Sequence, residues 1–327
     1  MNTMRYFDYQ NVGEHYCLHE QNGALPNVAA GQVLVQVEAF GLNRADVLQG
    51  QGKYPAPPGH STIPGLEVAG CVVTCAEDVD KGLIGKRVCC IVSGGGYAEY
   101  VSVDARHLIF LPEEAQLDAA AGLAEVFLTS YQCLFDLSAL QAGQRVLIHA
   151  GASGVGLAAI QLAKLSGATV AVTASSADKL AACGENGADI LINYRQQDFV
   201  EVLKQQQFFP NIIIDVVGGD YTPRNLQVLA LDGHIIQLAM LGGRYVTQLD
   251  MGLMLMKRAK LQGSTLRNRS DDYKAALVSG FVARFGTALS NGGLNPNIMR
   301  VMDISAVNDA HALLQTNQTV GKLVVRW

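Results

Sequence analysis

Hydrophobic and polar residues follow two rhythms along this chain. Gln32-Val-Leu-Val-Gln-Val-Glu-Ala-Phe40 sets Val33, Val35 and Val37 on one face, the period-two alternation of a strand with one buried side. Glu67–Thr74, Gly85–Val92 and Tyr97–Val103 read as further short strands, punctuated by the acidic turn Glu77–Asp80 and the glycines Gly94–Gly96. Short strands with Gly and Pro turns predict a small, barrel-like β domain over residues 1–122. Between two of them, Gly41–Ser61 begins as a short helix and ends in a proline-rich loop. Its polar residues Asn43, Asp46, Gln49, Lys53 and Tyr54 are candidates to face a pocket, although a helix cap at Asn43 or Asp46 is the plainer expectation.

After Leu111-Pro112 the rhythm changes. Asp118–Phe135 is helical in propensity and free of proline. Strands Arg145–His149, Thr169–Thr173, Ile190–Asn193, Ile212–Val217, His234–Leu238 and Leu261–Thr265 follow. They alternate with helices Leu157–Ser166, Ala177–Glu185, Asp198–Gln205 and Thr222–Ala230. Alternation of this kind predicts an α/β domain with a doubly wound parallel sheet, over residues 123–265. Beyond it lie a long helix, Tyr273–Ser290, and short strands Met299–Ile304 and Lys322–Trp327 around helix Val307–Gln315. Residues 266–327 are therefore expected to return to the first domain.

One stretch carries candidate chemistry. Arg145–Gln161, RVLIHAGASGVGLAAIQ, reads as strand, glycine turn and helix. Small residues in such a turn let backbone N–H groups approach a pyrophosphate at the positive end of the helix, so a dinucleotide is expected here. In NAD-binding folds the second strand ends in an acid that holds the ribose 2′-hydroxyl. Here it ends Val172-Thr-Ala-Ser-Ser-Ala-Asp-Lys179, with no acid at Ala174, Ser175 or Ser176. Two hydroxyls and Lys179 suit a 2′-phosphate, which favours NADPH over NADH. Asp178 is expected to cap the next helix. His149, at the strand end, reads as a packed structural residue, and His60 as a surface one.

Composition narrows the classes. At 327 residues, 49% hydrophobic and 16% charged, the chain is long enough for two domains with substantial cores. A net charge of −5 without a basic run argues against a nucleic-acid or membrane-surface binder. Met1–Gln10 lacks the apolar core of a signal peptide, no stretch is long enough to span a membrane, and the seven cysteines are scattered. Reduced thiols in a cytoplasmic protein are the expectation. No Cys-x₂-Cys pair or zinc spacing is present, and no Ser-His-Asp set or Gly-x-Ser-x-Gly. Hydride transfer requires none of these.

The motifs Asn43-Arg-Ala-Asp46, Gln51-Gly-Lys-Tyr54, Pro57-Pro-Gly-His-Ser61 and Pro64-Gly-Leu-Glu-Val-Ala-Gly70 resemble a known family. So do Gly151–Lys164, Asn193-Tyr194, Asp215–Gly219 and Gly321-Lys-Leu323. Over nearly its whole length the chain looks like a zinc-free medium-chain dehydrogenase/reductase of the quinone oxidoreductase (zeta-crystallin-like) group, nearest the stress-inducible quinone oxidoreductases. The resemblance implies a GroES-like catalytic domain plus a Rossmann domain, with NADPH in the cleft between. Zinc-bearing relatives carry a cysteine near Leu42-Asn43 and a histidine where Leu66 stands, so no metal is expected. By position, Asn43, Asp46 and Tyr54 would border nicotinamide and quinone, and Thr129 the nicotinamide side. Ser153, Gly154 and Val155 would hold the pyrophosphate; Ser176, Lys179 and Tyr194 the adenosine and 2′-phosphate. Ala239, Met240 and Leu241 would touch the nicotinamide through backbone groups, with Leu266 and Arg267 near the cofactor. Ser153 replaces a glycine common in relatives, and Leu48 a tyrosine, which leaves Tyr54 the only tyrosine of the loop. The expected activity is NADPH-dependent quinone reduction. Its rivals are reduction of the double bond of a conjugated carbonyl, and a non-catalytic NADPH-binding sensor or RNA binder. A homodimer or homotetramer built through Gln237–Gln248 is the expected assembly.

Overall fold

A computed structural model describes residues 3–327; Met1 and Asn2, where the first domain is expected to begin, lie outside the described residues. The chain divides into two compact units. Residues up to Leu128 together with Leu266–Trp327 form the first, and Thr129–Thr265 the second.

The first unit opens with β1 (Thr3–Gln10), β2 (Cys17–Ala24), β3 (Gln32–Gly41), β4 (Glu67–Cys75), β5 (Arg87–Ile91), β6 (Tyr100–Asp104) and β7 (Leu108–Phe110). The second holds β8 (Arg145–His149), β9 (Thr169–Ala174), β10 (Ile190–Asn193), β11 (Ile212–Asp215), β12 (His234–Gln237) and β13 (Lys260–Gly263). The chain then returns with β14 (Ile298–Asp303) and β15 (Lys322–Arg326).

In the first unit the main sheet runs β14-β15-β3-β4-β5-β7. β3 is its axis. Val33, Val35 and Val37 are buried, as the alternation predicts. β3 pairs with β4 along one side; along the other it pairs with β6 through Gln32–Gln36 and with β15 through Ala39–Gly41. The core beneath it includes Phe40 stacked on Tyr97 at 4.1 Å, with Trp327 against Phe7 and Phe40. Sequence patterning misses the pair β1–β2. β2, CLHEQNGA, is mostly exposed and polar, so it carries no period-two signal.

The second unit is a six-stranded parallel sheet in the order β10-β9-β8-β11-β12-β13. That is the doubly wound order, whose strand direction of travel reverses between β8 and β11 and opens a crevice at their carboxyl ends. The expected Asp118–Phe135 helix is instead broken into Leu117–Ala120, Ala124–Tyr131 and one π turn, Gln132–Asp136. The break falls at Gly122, where a Cβ would lie 2.6 Å from Ile298 Cδ1. β11 stops at Asp215, short of the expected Val217, because the Asp215 carboxylate takes the N–H groups of Val217 and Gly218 and turns the chain.

Candidate active site

In the second unit the chemistry-bearing loops all follow carboxyl ends of strands. After β8 the chain turns through Ala150, at φ +53°, into helix Gly154–Leu165. Two glycines make the turn possible. A Cβ on Gly156 would collide with the carbonyl oxygens of Gly151 and Ala150, and one on Gly151 would lie 2.7 Å from Val172 Cβ. Ser153 is the N-cap: its hydroxyl accepts the Gly156 N–H at 3.0 Å. Ser153 is exposed, and Gly154 and Val155 are half-buried, so the outer rim of the turn is open. This cradle of small residues at a helix N-terminus fits a pyrophosphate.

Beside it, β9 is followed by Ser175 and Ser176. Ser176, and not Asp178 as the sequence suggested, caps helix Ala177–Glu185, taking the Lys179 N–H at 3.4 Å. The Tyr194 N–H donates to Ala174 O at 3.1 Å, which draws the half-exposed Tyr194 to the end of β9. Ser176, Lys179 and Tyr194 therefore share one edge of the sheet. Past β12, the Leu241 N–H donates to Val216 O and Ala239 O accepts from Gln237 Nε2, while the Met240 and Leu241 side chains are exposed. Thr129 is buried at the start of the unit. His149 is structural: Nδ1 meets Thr173 Oγ1 at 2.9 Å and Nε2 meets Asn225 Oδ1 at 2.7 Å, and burial holds its pKa down.

In the first unit, Asn43 caps helix Arg44–Gly50, and its N–H donates to Asp46 Oδ2 at 2.7 Å. The Asn43 side chain is committed as well. Its Nδ2 donates to Glu67 Oε1 at 3.0 Å, and its Oδ1 accepts from Lys322 Nζ at 2.8 Å. Lys322 Nζ and Glu67 Oε1 form a buried ion pair at 2.6 Å, and Glu67 Oε2 accepts the Glu125 N–H. Asp46 is fully buried and Tyr97 Oη donates to its Oδ2 at 3.2 Å. Burial pushes the Asp46 pKa up to about 6, against the pull of the Asn43 N–H, Lys322 and Arg267. Arg267 is buried, with Leu266 before it. Its Nε donates to Ser93 O at 2.9 Å, and its guanidinium lies 5.5 Å from the centre of the Tyr54 ring. Lys274 Nζ donates to Ser93 Oγ at 2.6 Å. Asn43 thus meets Lys322 and Glu67, Asp46 meets Asn43 and Tyr97, and Tyr54 meets Arg267. Sequence reasoning missed Glu67, Lys322, Tyr97 and Lys274. Their signal is weak because Glu67 and Lys322 open apolar strands, Tyr97 lies in a turn and Lys274 in the first turn of a helix, and each gains its partner only through the fold.

Among the described residues no group of three or more His, Cys, Asp or Glu stands close enough to hold a metal ion. Leu66 is a buried hydrophobic residue.

A GroES-like β-rich unit and a Rossmann unit with an open phosphate turn, in one chain, define a nicotinamide-type oxidoreductase fold. Two family models match the chain, "Alcohol dehydrogenase GroES-like domain" over residues 29–113 and "Zinc-binding dehydrogenase" over residues 154–280. The chain belongs to the medium-chain dehydrogenase/reductase family. It is 31% identical to the human synaptic vesicle membrane protein VAT-1 homolog, over 94% of this chain and 82% of that protein. It is 30% identical to the quinone oxidoreductase-like protein 2 homolog of Nematostella vectensis, over 94% and 84%. Among solved structures it is similar to the quinone oxidoreductase from Coxiella burnetii, at 28% identity, full coverage of both chains and a TM-score of 0.82. Among the described residues no helix is long and apolar enough to cross a membrane.

Proposed function

We propose that this chain is an NADPH-dependent quinone oxidoreductase that works without a metal. The observation that carries the cofactor choice is the edge formed by Ser175, Ser176, Lys179 and Tyr194, where a strand-end acid would repel a 2′-phosphate and none stands. Similarity to quinone oxidoreductases at 28–30% identity supports the acceptor. Ser153, Gly154 and Val155 would hold the pyrophosphate, and Lys179 with Ser176 and Tyr194 the adenosine end. NADPH, when bound, supplies the hydride. Asn43 and Asp46 are held rigid by their hydrogen bonds, which suits a positioning role. Tyr54, beneath the Arg267 guanidinium, orients an acceptor oxygen.

The test is oxidation of NADPH and of NADH with 1,4-benzoquinone and then with an enal, each with and without chelator. Rapid loss of NADPH with quinone, slow loss of NADH and no chelator effect support the reading. Turnover of the enal alone makes the chain a double-bond reductase, and binding without turnover makes it a sensor. We also propose a homodimer through the sheet edge at β13. This edge strand is exposed, and Tyr245 and Leu255, on the stretch of chain that leads into it, are 81% and 79% exposed. Sedimentation of Tyr245→Asp would shift from dimer to monomer.

A further inference from the structure

Reduction of a quinone to a hydroquinone takes a proton as well as a hydride, so the proposed reaction needs an acid. A buried hydrogen-bonded chain within the first unit leads to one. Tyr97 Oη lies 3.2 Å from Asp46 Oδ2 and 2.9 Å from His311 Nε2. His311 Nδ1 lies 2.8 Å from Tyr16 Oη, which accepts from Gln315 Nε2 at 3.3 Å. Asp46, Tyr97 and His311 are buried, Tyr16 is half-buried and Gln315 is exposed, so the chain runs from surface to core.

The donors order themselves in one sense. Gln315 Nε2 has only protons to give, so the Tyr16 hydroxyl proton points to His311 Nδ1. Burial pushes the His311 pKa down to about 4, so the ring is neutral at pH 7 and its one proton sits on Nε2, facing Tyr97. Tyr97 is then free to donate to Asp46. Asp46 Oδ1 is buried and takes no hydrogen bond from any described residue. The charges near Asp46 are Arg267 and Lys322, with Tyr9 Oη on its backbone carbonyl; Arg44 faces Tyr16.

We infer that Tyr16, His311, Tyr97 and Asp46 form a proton relay that feeds the reduced acceptor, with Asp46 Oδ1 as its outlet. The inference rests on the quinone-reductase reading above. When hydride has reached the quinone, the acid proton leaves Oδ1 for the hydroquinone oxygen. Oδ2 takes the Tyr97 proton, Tyr97 takes the one on His311 Nε2, Nδ1 takes the one from Tyr16, and Tyr16 recovers one from water. One proton enters and one leaves; a turn of the Asp46 carboxyl then brings the new acid proton to Oδ1, and the hydroxyls and the His311 tautomer reorient to restore the starting state, so Tyr97 and His311 act through Asp46.

Two measurements test the relay. The first uses the protein alone at pH 5, below the Asp46 pKa. The infrared carboxylic-acid band missing from Asp46→Asn is followed on transfer to D₂O. Its exchange should slow at least tenfold in Tyr97→Phe, which keeps the ring stacked on Phe40, and in Tyr16→Phe at the half-buried end. The second is NADPH oxidation by 1,4-benzoquinone. Both variants should lose at least tenfold in kcat, with KM values changed less than twofold and a larger solvent isotope effect. Exchange at the wild-type rate overturns the relay whatever the acceptor. Slowed exchange in a protein that never reduces quinone upholds the relay and overturns the quinone reading. Slowed exchange with kcat and solvent isotope effect unchanged overturns the relay's part in turnover.

Discussion

Removing the Lys322 ammonium should strongly destabilise the first unit. Its ammonium is 4% exposed and Glu67 is wholly buried, with 2.6 Å between them. The same ammonium donates to Leu42 O at 2.6 Å and Asn43 Oδ1 at 2.8 Å. Lys322→Met keeps the packing of the stem but leaves a buried carboxylate and two buried oxygens without their donor. Breaking a buried pair from one side costs ~3–5 kcal/mol. The chain's single tryptophan, Trp327, packs on Phe7 and Phe40 and so reports the first unit alone. With a urea slope of about 2 kcal/mol/M, its fluorescence midpoint should fall by about 2 M. Adding Glu67→Gln to Lys322→Met removes the stranded charge, so the double variant should recover ~2 kcal/mol or more against the sum of the singles. A midpoint for Lys322→Met within ~0.5 M of the wild type, or strict additivity, would show that the pair is not the electrostatic centre of this sheet.

Three other outcomes are expected. Lys179→Glu should weaken NADPH binding ~10- to 150-fold, the worth of a charged hydrogen bond, and NADH binding less than about threefold; equal losses in calorimetric titrations would refute the 2′-phosphate assignment. Gly156→Ala should push the helix off Gly151, destabilise the second unit by ~1–3 kcal/mol in circular-dichroism melts and abolish NADPH binding; wild-type affinity would refute the cradle. Asp46 has its folded pKa raised to about 6, above an unfolded value near 3.9, so its contribution is full below pH ~4 and lost as pH rises through 6. His311 is depressed to about 4, so its contribution has the opposite sign, present above pH ~6.5 and lost as pH falls. The stability of the wild type relative to Asp46→Asn should therefore grow by ~2 kcal/mol from pH 7 to pH 4 in Trp327 melts, and a flat difference would refute the buried-acid account.

Wherever one face of an element is buried by neighbours close in sequence, the fold could be read directly. β3 declared itself through Val33, Val35 and Val37, and the parallel strands through unbroken apolar runs such as Ile212–Ile214. The phosphate turn was legible because its glycines answer to local collisions. β1 and β2 were not, since exposed β2 shows no alternation. Nor was helix Met251–Met256, MGLMLM, which has no polar face to give a period. Of the acceptor side, Asn43 and Asp46 were visible as a motif, but not their partners. Lys322 meets Leu42 across 280 positions and Tyr97 meets His311 across 214, separations at which no spacing rule operates.

That separation also orders how the molecule is made. β15 fills the gap between β14 and β3, so the sheet of the first unit stays incomplete until Lys322–Arg326 has left the ribosome. Throughout that interval β3 offers an unpaired edge at Ala39–Gly41, and Glu67 waits without its counter-charge. The second unit, closed by contacts within Thr129–Thr265, has no such wait. Translation should therefore yield a protease-resistant second unit before the first one. A chain halted before Lys322 would expose to chaperones a nascent sheet that is open at its axis, and slow codons downstream of β14 would lengthen that exposure.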